Sequence, residues 1–109
     1  MSPRLCAAVL SLLAFAACAN AQRARTQPTP LPGNLAHGAA IYQSQCSACH
    51  GRNGIAGPVG PSLRNERLRR SYAAVRAIVL DPDPPMPKLF PAVLTQADVR
   101  DVSAYVETL

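Results

Sequence analysis

Cys46-Ser47-Ala48-Cys49-His50 sets two thiols and an imidazole within five consecutive residues. Cys-x-x-Cys-His is the attachment pattern of a c-type haem, and the spacing has a chemical reason. Thioethers from Cys46 and Cys49 to the two vinyl edges of a porphyrin hold the ring against one helical turn. His50, next to the second thioether, then reaches one face of the iron as its proximal ligand and leaves the other face for a ligand from elsewhere in the chain. Two other chemistries compete for these residues. A dithiol redox pair expects strand-helix-strand surroundings, which the flanking sequence lacks. A structural zinc site needs four ligands; outside the leader described below, His37 is the one further Cys or His, and Cys49 and His50 would have to crowd onto one ion.

Met86 is the candidate for the opposite face. It stands between Pro85 and Pro87, after Asp81-Pro82-Asp83-Pro84, in a segment that can form no helix. A stiff, proline-framed loop holds a thioether at the iron with little rearrangement between oxidation states. The competing reading is a methionine that fills a gap in the core, but the other methionine of the chain is Met1 and this one lies on a loop. His37 is a rival that would have to leave its helix and cross to the far side of the ring. In Gly60-Pro61-Ser62-Leu63, a backbone carbonyl such as that of Pro61 can accept the proton of the ligand histidine's other nitrogen and set its tautomer. Tyr72 is a candidate hydrogen-bond donor to the Met86 sulfur.

The elements that must position these residues fit one small domain in a chain of 109 residues. Residues 1–21 read as an export signal: Arg4, an apolar stretch from Leu5 to Ala17 too short to span a bilayer, and Ala19-Asn20-Ala21 before Gln22. Ala14-Phe15-Ala16-Ala17-Cys18 also reads as a lipoprotein signal, residues 1–17, with Cys18 as the lipidated terminus. Cleavage before Gln22 leaves ten basic against six acidic residues, or +4. This modest charge suits docking to an acidic partner. Arg64, Arg67, Arg69 and Arg70 make one short cluster without a nucleic-acid-binding motif, so no nucleic acid is expected.

Residues 22–34, with Pro28, Pro30 and Pro32, read as an extended linker, and 35–109 as the domain. A first helix is expected over Leu35–Cys46, with Leu35, Ala39, Tyr42 and Cys46 in one stripe; Gly38 on that stripe implies close approach of another helix, the last. Gly51, Gly54, Gly57, Pro58, Gly60 and Pro61 exclude regular structure after His50 and suggest a loop wrapped on the haem. A second helix is expected from about Glu66 to Leu80, its apolar face Leu68, Tyr72, Val75, Ile78 and Val79, its arginines opposite in water. Thr95 and Asp98 form a capping box for the last helix, whose stripe is Val99, Val102, Val106 and Leu109, edged by Tyr105. The fold class is all-α.

From Leu35 to Leu109 the chain resembles the class I cytochrome c family, small single-haem electron carriers. The resemblance lies in Gly38 and Tyr42, the Cys46–His50 motif with Gly51, Gly60-Pro61-Ser62-Leu63, Met86-Pro87, and Val102 with Tyr105. It implies three to four short helices around one covalent haem c, first and last helices crossing at the small and aromatic positions, and the proline carbonyl taking the histidine's proton. His50 lies thirty-six residues before Met86, short for the family, which implies a missing helix or loop. The expected function is electron transfer between redox partner proteins in an extracytoplasmic chain, with His50 and Met86 on the iron, Leu63, Tyr72, Val75, Leu89 and Phe90 keeping water out, and no catalytic residues. The alternatives are a ligand-binding or peroxidatic haem protein with a loose Met86, and a dedicated subunit of a dehydrogenase or oxidase. Membrane contact is expected only through a lipid anchor at Cys18.

Overall fold

The computed structural model describes residues 31–55 and 57–109, which form short helices and loops with no strand among them. The leader, Cys18 and residues 22–30 of the linker lie outside the described residues. Helix α1, Leu35–Ile41, is capped by the Asn34 side chain, which accepts from the His37 N–H at 3.1 Å. It continues through a wider π turn, Tyr42–Cys46, and a final turn, α2, Ser47–His50. The single helix expected from Leu35 to Cys46 therefore changes pitch at Tyr42, whose carbonyl accepts from the Ser47 N–H five residues on. The Ser47 hydroxyl donates to the Gln43 carbonyl at 2.7 Å and supports that wider turn. Gly51 then stops the chain at φ +83°, a left-handed conformation open to glycine.

The buried side of α1 is Gly38, Ile41 and Tyr42, whereas Leu35 of the expected stripe is exposed and Ala39 only partly covered. Helix α4, Gln96–Val106, decides this by crossing α1 at Gly38. A Cβ at position 38 would lie 2.6 Å from the Asp101 carbonyl carbon and 3.0 Å from the Tyr105 Cβ, so only glycine admits the crossing at this depth. The Tyr42 and Tyr105 rings close the contact, tilted at 54° with centroids 5.4 Å apart. Helix α4 begins with the expected box: Asp98 N–H donates to the Thr95 hydroxyl at 3.2 Å and Thr95 N–H to the Asp98 carboxylate at 2.8 Å.

The second helix differs from expectation. Glu66–Leu68 form a single 3₁₀ turn, and after a break α3 runs over Tyr72–Leu80, with Ser71 capping the Ala74 N–H at 3.2 Å. Leu68, placed on the apolar face by its spacing, is 77% exposed, and Ile78 is also exposed. Glu66 is buried in their stead, clasped by Arg69 and Arg70, so those guanidinium groups are not merely a solvated face. The polar grip ends the 3₁₀ turn by folding both arginines back on Glu66. Val75 and Leu94 join Ile41, Tyr42, Val99, Val102 and Val106 in one core, against which Cys46, Leu63, Leu89 and Phe90 pack partly buried. Residues 31–34 already belong to this body: Gly33 lies against Arg100 and Asp101, and the Asn34 N–H donates to the Asp101 carboxylate at 3.0 Å.

Candidate haem site

The site is assembled on the turn that ends at His50. Cys46 closes the π turn and Cys49 and His50 sit in α2, all three partly buried, with both thiols unbridged. His50 Nδ1 lies 2.9 Å from the Pro61 carbonyl oxygen. A carbonyl only accepts, so Nδ1 carries the proton and the Nε2 lone pair is left for a metal.

The loop that brings Pro61 to the imidazole is braced from within. Gly60 N–H donates to the Cys49 carbonyl at 2.8 Å, and Leu63 N–H and the Ser62 hydroxyl converge on the Gly54 carbonyl at 2.7 and 2.9 Å. Gly60 passes so close to the imidazole that a Cβ there would stand 2.6 Å from Nδ1 and 2.7 Å from Cε1. The glycine is needed against the His50 ring itself. On the other side the Tyr42 hydroxyl donates to the Gly51 carbonyl at 2.7 Å, tying the residue after His50 back to α1.

The donor chemistry fits haem attachment better than its competitors. Burial, reinforced by the neighbouring Cys49, pushes the Cys46 thiol up to about 11, whereas a dithiol redox centre relies on a depressed thiol pKa. Among the described residues no three His, Cys, Asp or Glu side chains converge as a metal cluster.

Met86 is partly buried in a loop between two anchored points. Helix α3 ends at Asp81, and beyond the methionine Leu89 and Phe90 pack on the core. Met86 N–H donates to the Asp83 carbonyl at 3.2 Å, closing a turn, and Lys88 Nζ pairs with Asp81 at 2.6 Å across the loop. His37 is held elsewhere: its Nδ1 lies 2.9 Å from Asp101 and its Nε2 3.6 Å from Asp98. Tyr72 has a different partner from the Met86 sulfur, since its hydroxyl donates to the Arg100 carbonyl at 3.4 Å.

Two carboxylates carry weight that the reading of the sequence missed. Buried Asp101 accepts from Asn34, Arg100 and His37, and joins the start of α1 to α4. Glu66 anchors Arg69 and Arg70 beside Ser62, whose carbonyl accepts from Arg69 at 3.0 Å. The legible sign for Glu66 was its solitude, one acid among five arginines from Arg52 to Arg70.

Comparison with known proteins agrees with this geometry. The family described as cytochrome c oxidase, cbb3-type, subunit III matches residues 33–106. The chain is 35% identical over 85 residues to a cytochrome c-553-like protein of Synechocystis sp., covering 77% of each chain. It is 37% identical over 84 residues to cytochrome c6 of the same organism, covering 72% of this chain and 68% of that one. No solved structure gives a comparable match. With a family match over most of its length and two relatives of this identity, the chain belongs to the small class I c-type cytochromes, single-haem proteins that carry electrons.

Proposed function

We propose that Cys46 and Cys49 carry the two thioether links, that His50 Nε2 is the proximal ligand and that the Met86 sulfur is the distal one. The observation that supports this reading is the bond from His50 Nδ1 to the Pro61 carbonyl, which leaves the other nitrogen free for an iron. Bound there, haem c supplies a one-electron iron couple, and Met/His ligation favours its reduced form. The chain's own residues do the rest. Pro61 holds the tautomer and raises the basicity of the imidazole. Gly60 and Gly51 let the loop close on His50, and Leu63, Leu89 and Phe90 add apolar cover that limits water. The proline-framed loop keeps Met86 in one position through the redox cycle.

The N-terminal segment supports an extracytoplasmic location, reached by cleavage before Gln22 or by lipidation of Cys18, with residues 22–30 as tether and 31–109 as the working domain. Among the described residues no helix is long and apolar enough to cross a membrane. The description of the matched family favours a second assignment, as the cytochrome subunit of an oxidase complex, with the same site chemistry.

The test is optical and electrochemical. Haem-loaded wild type should show the weak red charge-transfer band of a thioether on ferric iron. Met86→Ala should abolish the band, lower the potential and open the site to cyanide or imidazole, and Met86→His should restore six-coordination at a lower potential. A wild type that lacks the band and binds carbon monoxide rapidly when reduced assigns the chain to ligand binding instead.

A further inference from the structure

Charge is segregated along the domain. Residues 52–70 carry Arg52, Arg64, Arg67, Arg69 and Arg70 against Glu66 alone, a net +4. Residues 72–109 carry Arg76, Lys88 and Arg100 against Asp81, Asp83, Asp98, Asp101 and Glu107, a net −2. Folding gathers the cationic stretch. Arg64 Nη1 reaches the carbonyl of Asn53, next to Arg52, at 3.5 Å, and Arg69 Nη1 donates to the Arg64 carbonyl at 3.0 Å. The one acid is withdrawn from the surface, Glu66 being 3% exposed, while all five arginines stay exposed. Among the described residues Arg52, Arg64 and Arg67 have no carboxylate partner.

The same loop turns large apolar side chains outward: Ile55 is 61% exposed, Val59 63% and Leu68 77%. Exposed apolar groups among unpaired cations suit a transient interface, in which charge steers the encounter and apolar contact holds it briefly. The loop also touches the proximal ligand, since Pro61 accepts from His50 and the Ser62 carbonyl next to it accepts from Arg69 at 3.0 Å. A partner seated here lies against the loop that holds His50.

We propose that the folded loop from Arg52 to Arg70 is the docking face for the redox partner, and that the partner presents an acidic protein surface. The inference rests on the reading of the chain as a His50-ligated electron carrier. An anionic lipid surface would satisfy the arginines but would exchange no electrons with a haem.

The experiment uses haem-loaded protein with hexacyanoferrate(III) as an anionic oxidant, tris(phenanthroline)cobalt(III) as a cationic one, and poly-L-glutamate as an acidic polypeptide that competes for the face. Oxidation of wild type by hexacyanoferrate should slow as salt rises, and poly-L-glutamate should inhibit it at low salt. Arg64→Glu should slow that reaction at least about threefold at low salt and weaken the inhibition, with the reduction potential unchanged. Arg52→Glu repeats the test on a second residue of the face. Arg76→Glu makes the same charge change on α3 and should have a much smaller effect. Equal slowing by all three variants would overturn the proposal, because net charge and not this face would then govern the encounter. So would capture of the wild type by phosphatidylglycerol vesicles, lost in Arg64→Glu, with no response to poly-L-glutamate. Failure to exchange electrons with either oxidant would instead sink the carrier reading underneath, whereas normal exchange indifferent to Arg52 and Arg64 sinks the docking face alone.

Discussion

Gly38 and Asp101 meet backbone to backbone, so that a methyl group at Gly38 would fall on the Asp101 carbonyl oxygen. Neither backbone can move without parting α1 from α4. Gly38→Ala should therefore destabilise the haem-loaded protein by about 1–3 kcal/mol, the usual cost of overpacking, despite alanine's advantage of about 1 kcal/mol in a helix. Denaturant unfolding measures this, with Ala40→Gly on the exposed side of α1 as the comparison. A Gly38→Ala protein as stable as wild type would refute the tight crossing.

Gly60 and His50 are coupled in a similar way. Gly60→Ala puts a methyl group into the imidazole and must push it from the Pro61 carbonyl. A weaker hydrogen bond makes His50 a poorer donor, so the reduction potential should rise and exchange of the axial ligands should quicken, on the order of the tenfold effects seen when outer partners of metal ligands are lost. If potential and cyanide-binding rate both stay at wild-type values, Pro61 has no part in setting the ligand.

Asp101 predicts an acid-labile helix pair. Its burial would raise the carboxyl pKa, but hydrogen bonds from His37, Arg100 and Asn34 prevail and lower it from 3.8 to about 2. A depressed folded value contributes stability that is present above the unfolded pKa and is lost as pH falls through the folded one. The protein should therefore lose on the order of 2 kcal/mol between about pH 4 and pH 2 from this group. Asp101→Asn should be weaker at pH 7 and show a flatter acid limb in urea titrations run across that window.

Glu107 has the opposite sign. Burial raises its pKa, the nearby Glu66 charge adds to the effect, Arg67 partly offsets it, and one carboxyl oxygen is buried without a partner. A raised folded value contributes stability at low pH that is lost as pH rises. Glu107→Gln should accordingly be more stable than wild type at pH 7 and lose that advantage near pH 4. A destabilised Glu107→Gln at pH 7 would mean that the carboxylate has a partner in solution.

Replacing Cys46 and Cys49 together by alanine should yield protein that loses its haem to acid-acetone extraction and folds poorly, because the haem is a large part of so small a core. Covalent haem retained by the double variant would end the attachment reading.

The chemistry was written in the sequence wherever it depends on neighbours along the chain. The spacing of Cys46, Cys49 and His50 is what points to haem attachment and the prolines beside Met86 are what make it the candidate second ligand, while Thr95 with Asp98 caps α4, all through relations that reach only a few residues. Gly38 went further and announced a helix crossing, because a glycine inside a helix needs a reason. Tertiary structure decided the rest. Which side of α1 is buried depended on α4 arriving from more than fifty residues away, so Leu35 ended in water while Gly38 and Ile41 did not. Glu66 became the buried centre of an arginine clasp, and the Tyr72 hydroxyl went to Arg100. Periodicity shows that a segment has an apolar side; burial is decided by what packs against it, and that partner lies elsewhere in the chain.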